Sequence, residues 1–112
     1  MNIIILPSFK RQLKFYLKKY SSLKEELILS LENFDKRKAV FLGRDVYKLR
    51  LKTKNLNKGK SNSFRVLVLL IEQDDQLVPI SIFFKGDKEN LSKKEINDYL
   101  EMALNELRMR DL

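Results

Sequence analysis

The sequence predicts an α+β fold, in which a small, mainly antiparallel sheet packs against an N-terminal helical hairpin and a C-terminal helix. Two apolar stripes with helical spacing follow each other near the start, segments with strand periodicity occupy the middle, and a third helical stripe closes the chain. With 112 residues, the chain is long enough for one two-layer core and too short for two. We therefore predict one domain over residues 1–112, with the element order β-α-α-β-β-β-α.

The N-terminal third predicts a strand followed by two helices. Residues 3–6 form a mostly β-branched run that Pro7 ends, which predicts a short, central and buried strand. Ser8 is expected to cap a helix with the apolar stripe Phe9, Leu13, Tyr16, Leu17 and Tyr20. The capping-box pattern of residues 22–25 then predicts a second helix, with the stripe Leu23, Leu27, Leu31 and Phe34. Residues 35–43 are expected to form a basic connection to the sheet.

The middle and the end of the chain predict an antiparallel sheet and a last helix. From Asp45 to Lys54 apolar and cationic residues alternate, which predicts a strand with one face on the core and the other in solvent. A polar turn is expected at residues 55–62. Residues 64–71 are apolar on both faces, as in an interior strand, and residues 77–84 predict the strand that returns after a turn at 73–76. A capping box at residues 92–95 predicts the last helix, with the stripe Ile96, Tyr99, Leu100, Ala103, Leu104 and Leu107.

The net charge of +8 is concentrated in the middle of the chain. Residues 44–65 carry +7, because eight cations stand against one acidic residue, Asp45, whereas residues 89–112 carry −2. The eight cations are Arg44, Lys48, Arg50, Lys52, Lys54, Lys58, Lys60 and Arg65. Such an asymmetry indicates an anionic partner for this stretch. A solvated basic face that only maintains solubility is the alternative.

Four of these cations occupy one face of a single predicted strand, namely Lys48, Arg50, Lys52 and Lys54. Side chains at i and i+2 on a strand lie about 6.6–7 Å apart, so the strand can present a row of cations to a polyanion. Edge strands also carry lysines to prevent aggregation, which is the alternative interpretation. The neighbouring strand at residues 64–71 has no acidic residue opposite the row, and this favours nucleic acid.

Several classes of function are excluded or disfavoured by composition. The chain has no Cys and no His, which excludes disulfides, thiol chemistry and metal sites built from nitrogen and sulfur ligands. The longest apolar run, residues 66–71, is too short to cross a membrane, and the start lacks the features of a signal peptide. Gly59-Lys60-Ser61 lacks the earlier glycine of a nucleotide-binding loop, because position 54 is Lys54. We predict a cytoplasmic protein without metal, cofactor, small-molecule ligand or membrane contact.

Three segments resemble signature segments of the RelE/ParE toxin superfamily, in its HigB-like branch. They are Val46-Tyr47-Lys48-Leu49-Arg50-Leu51, the run from Lys58 to Val68, and the run from Phe83 to Ile96. Members typically carry a YKLR strand, a GKSGGYRV loop and strand, and an aromatic-x-Lys segment that precedes the start of the last helix. The predicted order of elements is also that of the superfamily, so the resemblance covers nearly the whole chain.

The resemblance implies the toxin of a type II toxin–antitoxin pair, a metal-independent endoribonuclease that cleaves mRNA on the ribosome. It implies that Lys48 and Arg50 activate or orient the ribose 2′-OH, and that Arg65 stabilises charge on the scissile phosphate. Lys85 lies where the superfamily often carries another functional cation. The remaining cations are predicted to position the RNA, namely Lys52, Lys54, Lys58 and Lys60. The implied protein partner is a cognate antitoxin with an acidic or amphipathic segment that covers the basic groove.

The sequence departs from the superfamily pattern in two places. Asn62-Ser63-Phe64 replaces the usual Gly-Gly-Tyr before the arginine, so this position has no phenol hydroxyl. No Tyr or His beyond Lys85 aligns with the proton donor of some members, because Tyr99 falls on the apolar stripe of the last helix. Two other functions therefore stay open, a ParE-like inhibitor of DNA gyrase and a non-catalytic RNA-binding protein that kept the fold.

Overall fold

The computed structural model describes residues 1–51, 63–86, 88 and 90–111. Within them the elements are β1 (Asn2–Ile3), α1 (Pro7–Leu17), α2 (Leu23–Glu32), β2 (Val40–Gly43), β3 (Val46–Leu51), β4 (Phe64–Ile71), β5 (Gln76–Phe84) and α3 (Lys93–Arg110). The five strands form one sheet in the order β1-β5-β4-β3-β2, in which β1 and β5 are parallel and the other pairs antiparallel. The predicted α+β class with a mainly antiparallel sheet is confirmed.

The helices cover the sheet from both sides. The apolar faces of α1 and α2 pack against one face, where Phe64, Val66 and Val68 of β4 are buried. The apolar stripe of α3 packs against the other face, over Leu67 and Leu69. This explains why β4 is apolar on both sides, since successive side chains of an interior strand enter two different cores. The interior position predicted for residues 64–71 is therefore confirmed.

The first strand lies at the edge of the sheet, so the prediction of a central strand at residues 3–6 is wrong. Asn2 and Ile3 pair only with Gln76 and Leu77 of β5. Leu6 is buried, but it belongs to the turn into α1 and packs in the core under α3. A short β-branched run looks the same whether its strand pairs on one side or on two, because pairing depends on distant residues.

Neither of the first two helices begins with the predicted side-chain cap. Pro7 occupies the first turn of α1 and Leu6 is its N-cap, so Ser8 lies inside the helix. The Ser8 N–H of that turn, which has no partner within the helix, is satisfied from α3 instead, because both carboxylate oxygens of Glu106 accept from it, at 3.1 and 3.0 Å. At α2 the N-cap residue Ser22 makes no side-chain capping bond. The capping box Ser92–Glu95 of α3 is formed as predicted.

Strand β2 was not predicted, because residues 35–43 were expected to be only a connection. It forms the second edge of the sheet and pairs with β3 through a two-residue turn, Arg44 and Asp45, in which both residues have positive φ. Such turns usually carry Asn-Gly or Asp-Gly, so the Arg-Asp pair conceals the hairpin. Val40 and Phe41 on this strand are 53% and 59% exposed.

The outer edge of β5 is closed by side chains of α1. β1 pairs only with the start of β5. Farther along β5, the Gln12 side chain donates a hydrogen bond to the Ile80 carbonyl and accepts one from the Ile82 N–H, each at 3.1 Å. Tyr16, one helical turn later, accepts from the Phe84 N–H at 3.3 Å. These bonds anchor α1 to β5 and occupy backbone groups that would otherwise be free to pair with another chain.

Candidate active site

The row of predicted catalytic residues lies on the sheet face that α3 partly covers. β3 and β4 pair so that Arg50 stands opposite Arg65, while Lys48 stands opposite Leu67. Their neighbours Leu51 and Phe64 point into the core under α1 and α2, so alternation places the cations on the opposite face. The structure therefore brings together three predicted residues, Lys48, Arg50 and Arg65.

Arg65 is a buried cation with a neutral hydrogen-bond partner. Its side chain is 6% exposed, and its Nη1 donates to the Ser63 hydroxyl at 2.6 Å. Phe83 of β5 lies opposite it on the other side and is also buried. Desolvation lowers the pKa of Arg65, and the positive charge of Arg50 lowers it further. A guanidinium held in this way has unused capacity to bind an anion.

Lys48 and Lys85 flank this pair. The Lys48 side chain is partly buried, and its Nζ donates to the Asn90 side-chain oxygen at 3.2 Å. The Lys85 N–H donates to the Ser63 carbonyl at 2.8 Å, which continues the β4–β5 pairing one residue beyond Phe64 and Phe84. Lys85 thus lies beside the Arg65–Ser63 contact, at the end of β5.

The described residues provide no carboxylate partner for the cations of this site. Among the residues that the structure describes, none of the ion pairs involves Lys48, Arg50, Arg65 or Lys85. Cations without a carboxylate partner are available to bind a phosphate group. The predicted RNA-positioning residues Lys52, Lys54, Lys58 and Lys60 lie outside the described residues.

Three side chains at the site were not predicted from sequence, namely Ser63, Phe83 and Asn90. Ser63 precedes Arg65 by two residues, so strand alternation could have placed both on one face. Phe83 lies next to Arg65 because of the β4–β5 register. Asn90 contacts Lys48 although the two residues are 42 positions apart in the sequence. Neither contact has a local signal in the sequence.

No tyrosine is available as a general acid beside Arg65. The four tyrosines of the chain all lie in its described part. Tyr16, Tyr20 and Tyr47 pack in the core under α1 and α2, on the opposite face of the sheet. Tyr99 packs in the core under α3, which confirms its predicted core position.

Residues 1–51, 63–86, 88 and 90–111 contain no group of three or more acidic side chains that could hold a metal ion. None of the helices in this same part of the chain combines the length and the apolar character needed to cross a bilayer.

Fold and site together define a small α+β protein with a cationic sheet face suited to a phosphate-bearing ligand. The sequence profile of the RelE family, described as "RelE toxin of RelE / RelB toxin-antitoxin system", matches residues 8–112. The chain belongs to this family and is a toxin of a toxin–antitoxin system. The superfamily predicted from the sequence motifs is thereby confirmed, and the HigB-like branch stays a prediction.

A solved structure with a similar chain is that of the E. coli toxin RelE, an arginine-to-alanine double mutant in the free state. The two sequences are 19% identical, the match covers 79% of this chain and 86% of that one, and the TM-score is 0.48. No curated protein sequence matches this chain.

Proposed function

We propose that this toxin is a ribosome-dependent endoribonuclease that cleaves mRNA and thereby inhibits translation. The observation that carries the proposal is the buried Arg65 guanidinium, which stands beside Arg50 and lacks a carboxylate partner among the described residues. A desolvated cation acts strongly on charge that develops on a phosphate, because little water screens it. The family, described by its RelE/RelB system, supports this assignment.

In the proposed reaction the ribose 2′-oxygen attacks the adjacent phosphorus. The new P–O2′ bond gives a 2′,3′-cyclic phosphate, the P–O5′ bond breaks, and the 5′-oxygen leaves as a hydroxyl. Lys48 and Arg50 activate or orient the 2′-OH, whose proton passes to a base at the site or to water. Arg65 and Lys85 stabilise charge on the phosphate, and the leaving oxygen takes up a proton from an acid at the site or from water, in place of the tyrosine that the site lacks. Lys52, Lys54, Lys58 and Lys60 position the RNA in this proposal.

The further elements of the proposal concern partners and setting. Its protein partner is a cognate antitoxin that neutralises the cationic sheet face, and its nucleic-acid partner is mRNA on the ribosome. Residues 1–112 act as one domain in the cytoplasm, without a cofactor or a small-molecule ligand. An acidic antitoxin segment fits this face, because it would supply the carboxylates that the described residues do not.

Translation of a defined mRNA on purified ribosomes tests the proposal. The toxin should cut the message only when ribosomes are present, and Arg65→Ala should slow cutting by roughly 10²–10³-fold, as for other transition-state charge stabilisers. Arg110→Ala is the matched control, since it removes an exposed cation at the end of α3. An intact message in the presence of the folded wild-type toxin would overturn the proposal.

The same toxin and its variants also distinguish the proposed nuclease from the two other functions. A ParE-like inhibitor would abolish DNA supercoiling by gyrase and leave the message intact. A non-catalytic RNA-binding protein would retain the message on the ribosome without cutting it, and Lys48→Ala, Arg50→Ala and Arg65→Ala would then weaken binding alone.

A further inference from the structure

Helix α1 carries a second cationic surface that is separate from the Arg65 site. Residues 7–19 contain five cations and no acidic residue. Arg11, Lys14, Phe15 and Lys18 are exposed and line one surface depression. Their spacing of three, four and seven residues places them on one side of the helix. These four residues form the α1 basic face.

The charges of the α1 basic face differ from those around α3. Acidic residues of α3 pair with nearby cations, as in Lys94 with Asp98 at 3.0 Å and Arg44 with Glu101 at 3.2 Å. Within the described part of the chain, the ion pairs include none of Arg11, Lys14 and Lys18. Among the described residues, cations without an ion pair also occur on α3, at Lys93, Arg108 and Arg110, so α1 differs in that residues 7–19 contain no acidic residue at all.

Helix electrostatics explain only part of this charge, because Lys14 lies in the last turn of α1 and Lys18 is its C-cap residue, where cations are favourable. Lys10 lies in the first turn of α1 and Arg11 directly after it, near the positive end of the helix macrodipole, where cations are unfavourable. The first turn of α1 has no acidic residue of its own. Within the α1 basic face, the macrodipole therefore does not account for Arg11.

Phe15 is the residue that a solubility role does not explain. Its side chain is 73% exposed although it stands among three cations, and its ring meets Tyr16 edge-on with the centroids 5.1 Å apart. Cations that track a phosphate backbone next to an aromatic side chain that can stack on a base are the usual composition of an RNA-binding surface. An anionic membrane fits less well, because the other large apolar side chains of α1, such as Phe9 and Leu13, are buried in the core.

We propose that the α1 basic face binds the phosphate backbone of a folded RNA, next to an unpaired base that stacks on Phe15. α1 packs on the sheet face opposite Arg65, so this RNA approaches from the other side of the sheet than the strand at the cationic site. The inference rests on the proposed function in one respect. If mRNA is cut on the ribosome, ribosomal RNA is the folded RNA within reach.

Binding to a synthetic RNA hairpin with a single bulged base tests the proposal by fluorescence anisotropy, with gels to verify that the hairpin stays intact. The variant Arg11→Gln/Lys14→Gln/Lys18→Gln should lower the slope of log K against log salt concentration by about 2–3, because three phosphate contacts are lost. The control variant Lys93→Gln/Arg108→Gln/Arg110→Gln removes the same charge from exposed positions of α3 and should keep the slope. Circular dichroism verifies that both variants are folded.

Phe15 provides the second arm of the test. Phe15→Ala should weaken hairpin binding roughly tenfold, and Phe15→Tyr should preserve it, since a tyrosine ring stacks equally well. Equal slopes in the two triple variants, or an unchanged affinity of Phe15→Ala, would overturn the proposal. So would loss of binding to phosphatidylglycerol vesicles in the α1 variant without loss of hairpin binding.

The two proposals fail separately. Hairpin binding does not require cutting, so a toxin that binds the hairpin through α1 and leaves mRNA intact would refute only the proposed nuclease activity. Ribosome-dependent cutting with hairpin binding unaffected by the α1 substitutions would refute only the α1 surface.

Discussion

Arg50 lies directly opposite Arg65 in the register of β3 and β4, so two guanidinium groups share one face of the sheet. Arg65 is buried between Arg50 and Phe83, and its retained hydrogen bond goes to a neutral hydroxyl, that of Ser63. Two like charges held together disfavour the folded state until an anion neutralises them. We therefore expect a phosphate-bearing ligand that binds at this pair to stabilise the folded toxin.

Removing the charge of Arg50 should stabilise the free toxin at low salt. In Arg50→Gln the repulsion on Arg65 is gone, and we expect a gain in unfolding free energy of roughly 0.5 kcal/mol or less, as is usual for an exposed position. Salt screens the same repulsion, so the gain should shrink in 1 M NaCl. Urea unfolding at both salt concentrations measures it, with Arg110→Gln as the control. A gain that grows with salt contradicts the prediction.

Loss of the Lys48 side chain should slow mRNA cutting more than loss of Asn90, its hydrogen-bond partner. Its Nζ donates to the Asn90 side-chain oxygen at 3.2 Å, so Asn90 orients the amine. We expect Lys48→Ala to lower the rate of mRNA cutting on ribosomes by about 10²-fold or more, and Asn90→Ala to lower it less. Equal cutting rates for Asn90→Ala and Lys48→Ala would contradict this prediction.

The carboxylate of Glu106 should contribute to stability through α1. It accepts from the Ser8 N–H and, at 2.6 Å, from the Ser8 hydroxyl, and so replaces a cap that α1 lacks. Glu106→Ala should lower the unfolding free energy by about 1–2 kcal/mol, comparable to the loss of an N-cap. Glu101→Ala on the same helix is the control, because its ion pair with Arg44 is exposed on both sides and should contribute little. Thermal unfolding of the two variants compares them directly, and equal midpoints would contradict the prediction.

Gln12 should protect both the stability and the solubility of the toxin. Gln12→Ala leaves the Ile80 carbonyl and the Ile82 N–H of β5 without their side-chain partner. We expect a loss of roughly 1–3 kcal/mol, since buried backbone groups would lose their hydrogen bonds. The opened strand edge should also increase aggregation, which light scattering detects. Gln12→Met, which keeps the length of the side chain but not its polar atoms, should show the same two effects.

Stability should fall as the pH decreases below about 4.5, because two carboxylates have depressed pKa values. Hydrogen bonds from Arg37 lower the pKa of Asp35 from 3.8 to about 2. Bonds from the Lys88 side chain and the Ser92 backbone lower the pKa of Glu95 from 4.5 to about 2. Since the folded state holds both groups ionised more firmly than the unfolded state, their contribution is present above the unfolded pKa values and is lost as the pH falls toward 2. Unfolding midpoints between pH 2 and 6 should depend less on pH in Asp35→Asn/Glu95→Gln.

The cationic row of β3 could be predicted from the sequence because its signal is local, whereas the choice of catalytic residues came from the resemblance to the superfamily. Lys48 and Arg50 were predicted from strict alternation, and the structure places both on one side of β3, with Arg65 added by the register of β4. Their catalytic roles stay predictions. The contacts of Ser63, Phe83 and Asn90 were not predicted, since each depends on how β4, β5 and the segment before α3 meet.

Sequence alone determined the apolar stripes of the three helices, the capping box of Ser92 and Glu95, and the double-sided burial of β4. Each of these features depends on residues that are at most a few positions apart in the sequence. At that distance the geometry of a helix or a strand fixes which side chains share a face. Tertiary structure decided the edge positions of β1 and β2, the capping of α1 by Glu106, and the burial of Arg65. The reason is that strand order, side-chain caps from other elements and desolvation are set by contacts between residues far apart in the chain, for which no local periodicity exists.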